Sequence, residues 1–266
     1  MSAVALHHEL TGLAVGSPIL LAPSLGSTLA LWDPQLASLE AEHRVIRYDH
    51  RGHGASPVPS GPYSIGDLGE DVLALLDRLE IRRTSFCGVS LGGMVGLWLA
   101  ANAPERIDRL IVLCTSAYAP PASAWSERAA LVLAARSSQA VPNAVVDRWF
   151  TPDFAAHNPQ TLARARATLD ATPPDGYAGC CAAIEHLDLR ADLKRIAAPT
   201  LVISAAGDAA LPPEHGRAIA AAIPAARFEL IAGAHLANVE EAPTVNRLVR
   251  EHLALSAVTL VGRDDG

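Results

Sequence analysis

The chain is poor in aromatic residues, 5% of 266, and has no run of lysine or arginine. Few aromatics beside abundant alanine argue against an all-β sandwich and for a helix-rich α/β chain. With no basic stripe to follow a phosphate backbone, and a formal charge of −7, nucleic acid is not an expected partner. The same negative balance means that an anionic ligand must be captured by local cations rather than drawn in from afar. No apolar stretch approaches the roughly 18 residues of a membrane span, so no membrane association is expected. The opening residues from Met1 to Leu10 lack the charged and apolar regions of a secretory signal, which points to a cytoplasmic protein. The four cysteines, Cys87, Cys114, Cys180 and Cys181, have no zinc spacing, and two are adjacent, so free thiols are expected. There is no metal triad, P-loop or dinucleotide fingerprint, and hence no expected metal or cofactor. Internal repeats, low-complexity tracts and linkers are also lacking.

What is present reads as one large globular unit, or a core with an insert. Half of the residues are hydrophobic and 18% are charged, and a chain of this length buries a core without disulfides or metal. Short apolar runs at 18–22, 44–48, 84–89, 110–114, 200–204 and 227–231 read as buried strands. Helical patterns lie between them. Ile65, Leu68, Val72, Leu75, Leu76 and Leu79 recur at helical spacing after a start at Ser64 with Asp67 three residues on. Residues 91–101 are apolar nearly all round, as in a buried helix. This alternation predicts a mostly parallel sheet flanked by helices. It breaks over 118–195, where no strand pattern occurs and Pro120-Pro121, Pro142, Pro159 and Pro173-Pro174 predict four helices. The expected division is therefore a core of 1–117 and 196–266 with a helical cap of 118–195.

Gly88-Val89-Ser90-Leu91-Gly92 sits between an expected strand and the buried helix. A strand-to-helix elbow needs a tight backbone, and glycine on both sides removes the Cβ clashes. Ser90 is therefore the candidate nucleophile, projecting at the positive end of a helix. A serine hydroxyl needs a base. On such an elbow the partners follow in the order Ser, acid, His. His235 lies just after the last expected strand among small residues. Asp208 ends the strand before it, placed to hold the far nitrogen of the ring. Asp49, which precedes the serine, is the weaker candidate acid. An acyl transfer also needs oxyanion donors. The Leu91 N–H is one, and the second is the N–H of Ser24 or of Leu25. The segment 49–56 (Asp-His-Arg-Gly-His-Gly-Ala-Ser) could offer Arg51 or His53 to a site, but reads better as a loop knitted by its own hydrogen bonds.

Several runs together carry a resemblance: Ser24-Leu-Gly-Ser-Thr-Leu-Ala-Leu-Trp32-Asp33, Arg47-Tyr-Asp-His-Arg-Gly-His-Gly-Ala-Ser56, Gly61-Pro-Tyr-Ser-Ile65, Phe86-Cys-Gly-Val-Ser-Leu-Gly-Gly93 and Gly176-Tyr-Ala-Gly-Cys-Cys-Ala-Ala-Ile184. Over nearly its whole length the chain resembles the 3-oxoadipate enol-lactonases of bacterial aromatic catabolism, within the α/β-hydrolase fold. That likeness implies opening of a small unsaturated lactone bearing an acetate arm, with no cofactor and with a cap arginine to hold the carboxylate. Trp125 and Arg128, three apart on one helix face, resemble a Trp-x-x-Arg pattern of the family's cap. Arg136 and Arg148 are the alternatives. Tyr177, Cys180 and Cys181 either line the cavity or pack the cap. Two other functions stay open: a general carboxylesterase or perhydrolase on the same fold, and a non-catalytic ligand receptor.

Overall fold

The structure, a computed structural model, describes residues 2–224 and 226–254. Among the described residues seven strands form one sheet: β1 (His8–Gly12), β2 (Ser17–Ala22), β3 (His43–Tyr48), β4 (Thr84–Val89), β5 (Ile107–Leu113), β6 (Thr200–Ala205) and β7 (Arg227–Ile231). Their order is β1-β3-β2-β4-β5-β6-β7. Only β1 runs antiparallel, against β3; the other neighbours are parallel. The six predicted strands are all present. The seventh, β1, has no apolar run to announce it, because an edge strand that is largely exposed needs none. By contrast β4 and β6 are buried at every residue, which is why they read as continuous apolar runs.

Three α-helices precede β5: α1 (Asp33–Leu39), α2 (Ile65–Arg78) and α3 (Leu91–Asn102). The start of α2 is a capping box, with Ser64 Oγ accepting from the Asp67 N–H at 3.1 Å and Asp67 Oδ2 accepting from the Ser64 N–H at 2.8 Å. Its apolar stripe buries Leu68, Val72, Leu75 and Leu76, and α2 packs on α3. Between β5 and β6 lie five α-helices, not the four expected: α4 (Ser123–Ala135), α5 (Asn143–Val146), α6 (Pro152–His157), α7 (Pro159–Asp170) and α8 (Pro174–Glu185). The additional one, α6, is a short turn started by Pro152 and capped by Thr151 Oγ1. After β6 come α9 (Pro213–Ala222), α10 (Ala237–Glu240) and α11 (Ala242–Ala254). The last dozen residues of the expected core segment, 255–266, lie outside the described residues.

α4 packs along α8, and α8 in turn lies directly on the loop after β3. A Cβ added at Gly176 would fall 2.0 Å from the Gly52 carbonyl oxygen, and the Tyr63 N–H donates to Gly179 O at 3.3 Å. Gly176 and Gly179 are thus spacing residues that let two backbones touch. Among the described residues no helix is long and apolar enough to cross a membrane, no three His, Cys, Asp or Glu are grouped to hold a metal, and the four cysteines are free and buried.

The sheet order positions the site. From β2 the chain passes to β3 on one side; from β4 it passes to β5 on the other. Loops leaving β2 and β4 therefore diverge, and a crevice opens at the carboxyl ends of these neighbouring strands. The register places Ala22 beside Gly88, so residues 23–25 sit next to Ser90.

Candidate active site

Ser90 stands between the last residue of β4 and the first of α3, with φ 55° and ψ −117°. A non-glycine residue there carries strain of about 1–3 kcal/mol, which surrounding contacts must hold. The Ser90 N–H donates to Leu113 O at 2.9 Å, and Thr115 Oγ1 donates to Ser90 O at 2.7 Å. The flanking glycines are obligatory: a Cβ at Gly88 would lie 2.3 Å from Gly92 O, and one at Gly92 would lie 2.2 Å from Ala22 O.

The fold brings Ser90, His235 and Asp208 into one hydrogen-bonded line. Ser90 Oγ lies 3.0 Å from His235 Nε2, and His235 Nδ1 lies 2.9 Å from Asp208 Oδ2. An ionised carboxylate only accepts, so the ring proton belongs on Nδ1, leaving Nε2 free to accept from the serine. Asp208 is itself fixed, because its Oδ1 accepts from the Ala210 and Leu211 N–H groups, both at 2.9 Å. All three side chains are buried.

The turn carrying His235 is held from both sides. The Ala234 N–H donates to Glu240 Oε2 at 3.0 Å, and the Leu236 N–H donates to Trp149 O at 2.9 Å. Glu240 also accepts from the N–H and hydroxyl of Thr151. This clamp has no sequence signal, since its partners lie up to 89 residues apart and form no motif.

Leu91 is the first residue of α3, so its N–H has no partner within the helix. Ser24 and Leu25 line the pocket in front of Ser90. Among the described residues neither of their N–H groups meets an acceptor, whereas the next one, Gly26 N–H, is taken by His53. The two alternatives for the second donor therefore stand side by side at the site. Asp49 does not approach His235; it accepts from the N–H groups of Leu29 and Ala55. Arg51 is buried against Asp71, at 2.6 and 2.7 Å. The 49–56 segment is thus the knitted loop expected of it.

The pocket over Ser90 has a volume of about 150 Å³, room for about five waters at roughly 30 Å³ each. A larger cavity of about 420 Å³ beside Tyr118 and His215 does not include Ser90, so size alone would misplace the site. Trp125 and Arg128 of α4 both line the pocket over Ser90, joined by Arg148, Trp149 and Tyr177. As their spacing implied, the Arg128 guanidinium stacks over Trp125, 4.7 Å from the ring centroid. Neither Arg128 nor Arg148 pairs with a carboxylate among the described residues. Arg136 does not belong to the site. It lies eight residues beyond Arg128, about 12 Å further along the helix axis, and is an exposed residue with φ 51° that ends α4. Tyr177 lines the pocket, and burial pushes its hydroxyl pKa up, so that it stays protonated. Cys180 instead packs against Arg51 O. Burial holds Cys181 as a thiol, its pKa pushed up to about 12.

Residues 17–242 match the alpha/beta hydrolase fold family. The chain is 40% identical over 248 residues to 3-oxoadipate enol-lactonase 2 of Acinetobacter baylyi, covering 92% of each. It is 34% identical over 257 residues to a putative carbamate hydrolase of Stutzerimonas stutzeri, covering 94% of this chain and 97% of that one. The crystal structure of the enol-lactonase from Burkholderia xenovorans superposes with a TM-score of 0.93 at 39% identity, over 96% of this chain and 99% of that one. With its sheet order, its elbow and these relatives, the chain belongs to the alpha/beta hydrolase fold family.

Proposed function

We propose that this protein hydrolyses a small lactone bearing a carboxylate, of the 3-oxoadipate enol-lactone type, through an acyl-enzyme on Ser90. The observation that carries this reading is the buried Ser90–His235–Asp208 line opening into a pocket of about 150 Å³ with two arginines that lack carboxylate partners among the described residues. A pocket of that size calls for a small substrate, and a five-membered lactone with a short acetate arm is one. The named activity of the 40% identical relative supports the same substrate class.

His235 Nε2 takes the Ser90 proton as Oγ attacks the lactone carbonyl. The carbonyl oxygen becomes an oxyanion, held by the Leu91 N–H and that of Ser24 or Leu25. On collapse the ring C–O bond breaks, and the departing enol oxygen receives the proton from His235. The freed enol becomes a ketone. Water then gives a proton to His235 and attacks the acyl carbon, and Ser90 leaves with that proton as the 3-oxo diacid is released. Asp208 keeps the ring in the working tautomer and stabilises the imidazolium. Residues 118–195 act as a cap whose Arg128, or Arg148, grips the carboxylate by paired hydrogen bonds. A carbamate, the substrate class named for the 34% identical relative, is the second reading, with Ser90 as the nucleophile there as well.

The test compares substrates. The enol-lactone should exceed p-nitrophenyl acetate in kcat/KM by at least about 100-fold, because the anionic arm supplies binding energy that orients the carbonyl. A ratio near one would remove the lactone reading. A fluorophosphonate probe should label Ser90, and Ser90→Ala should abolish labelling; retained labelling would remove the nucleophile assignment.

A further inference from the structure

The loop after β3 carries three buried side chains, Asp49, His50 and His53, that the hydrolytic steps leave unused. Each holds one backbone group of the segment that follows β2. His50 Nε2–H donates to Pro23 O at 2.9 Å. The Gly26 N–H donates to His53 Nε2 at 3.0 Å. The Leu29 N–H donates to Asp49 Oδ1 at 2.7 Å. These contacts bracket Ser24 and Leu25, whose unengaged N–H groups stand beside Ser90. None of the three side chains lines the pocket itself.

His53 is the most constrained of them. A neutral imidazole has one acceptor nitrogen, and Gly26 uses it. The ring proton therefore sits on Nδ1, which donates to Arg51 O at 3.2 Å. A protonated ring would have no acceptor and would set one N–H against another. Burial prevents this, lowering the His53 pKa to about 4. Without an acceptor at this position the Gly26 N–H would be buried and unpaired, and the peptide joining Leu25 to Gly26 would turn to find one. That turn would re-aim the neighbouring N–H groups away from the carbonyl that Ser90 attacks.

We propose that His53 is a positioning residue that holds the oxyanion donors of the β2 loop in register through its neutral Nε2. This rests on the hydrolase reading above. The test uses His53→Leu, which keeps comparable bulk without an acceptor, and His53→Gln, whose amide oxygen can replace Nε2. Turnover of p-nitrophenyl acetate gives kcat and KM. Inhibition by phenylboronic acid reports on the oxyanion site, because boron bonds to Ser90 Oγ, the serine proton passes to His235 and a negative boronate oxygen occupies the place of the oxyanion.

His53→Leu should lower kcat about 30-fold with KM changed less than about threefold, and should weaken phenylboronic acid by the same factor as kcat. That is somewhat less than the direct loss of a donor causes. His53→Gln should return both to within about fivefold of wild type. Where His53→Leu does not fold, His53→Asn takes its place, since its shorter amide cannot reach the Nε2 position; Gln should then exceed Asn. The proposal is overturned if kcat stays within about threefold of wild type, if kcat falls without matching weakening of the boronic acid, or if Gln performs no better than Leu or Asn. A wild type that neither turns over the ester nor binds the boronic acid would overturn the hydrolase reading itself, a result distinct from flat behaviour of the His53 variants.

Discussion

Gly176→Ala tests how the helices between β5 and β6 are seated on the sheet. The new Cβ would lie 2.0 Å from Gly52 O, 2.4 Å from Gly52 Cα and 2.5 Å from Gly52 C. All three are backbone atoms, so no side chain can swing aside. To reach ordinary contact, α8 and the loop must part by more than about 1 Å. Overpacking of this kind costs about 1–3 kcal/mol, and the rigid neighbours place it near the upper end. Alanine gains back about 1 kcal/mol of helix propensity over glycine. The net loss is then about 2 kcal/mol, or a fall in Tm of roughly 4–8 °C for a chain of this size. Activity should fall too, because Gly52 adjoins His53, and a displacement of about 1 Å near a site can cost up to about 100-fold. The assay is thermal unfolding beside turnover of p-nitrophenyl acetate, with the exposed neighbour Asp175→Glu, which keeps the charge at the helix start, as the control that should stay within about 0.5 kcal/mol of wild type. A Gly176→Ala protein as stable and as active as wild type would refute the argument that these backbones touch.

Other expectations follow from the same geometry. Asp208→Asn should lower kcat by orders of magnitude through the wrong ring tautomer, and the Asp208, His235 double variant should be little worse than His235→Ala alone; independent, additive losses would show that the three groups do not act as a unit. Arg128→Ala should raise KM for an anionic lactone about 10- to 100-fold and scarcely affect a neutral ester; equal losses on both would mean that Arg128 supports the fold, and a selective loss in Arg148→Ala instead would move the carboxylate to that residue. Burial lowers the pKa of His50 to about 3 and of His53 and His252 to about 4. Above the unfolded value of about 6.5 these rings are neutral in both states and contribute no pH dependence, but as pH falls below it the unfolded chain takes up protons that the native one refuses. Stability measured in urea should therefore decline between about pH 6 and 4, by up to about 4 kcal/mol per unit if all three act; a flat profile over that range would count against their neutral burial.

Much of the site was legible in the sequence because its chemistry is written in backbone constraints. Ser90 is visible through Gly88 and Gly92, which the elbow cannot do without. Asp208 and His235 are visible through their places after β6 and β7. Arg128 is visible only through its spacing from Trp125, while the erroneous Arg136 shows the limit of that signal. Two arginines on one helix look alike in sequence, yet one faces the pocket and the other ends the helix in solvent.

The amino-acid sequence by itself determined the alternation of strands and helices, the elbow, the order of the catalytic candidates and the helical stretch between β5 and β6, since each depends on local periodicity or on a residue type its backbone requires. Only the tertiary structure decided what meets across distance. It set the exposed edge strand β1, the Glu240–Thr151 clamp on the His235 turn, the seating of Gly176 on Gly52, and the bracing of residues 23–29 by Asp49, His50 and His53. These contacts join segments tens of residues apart, and a hydrogen bond or a close approach between such segments leaves no period in the chain that could foretell it.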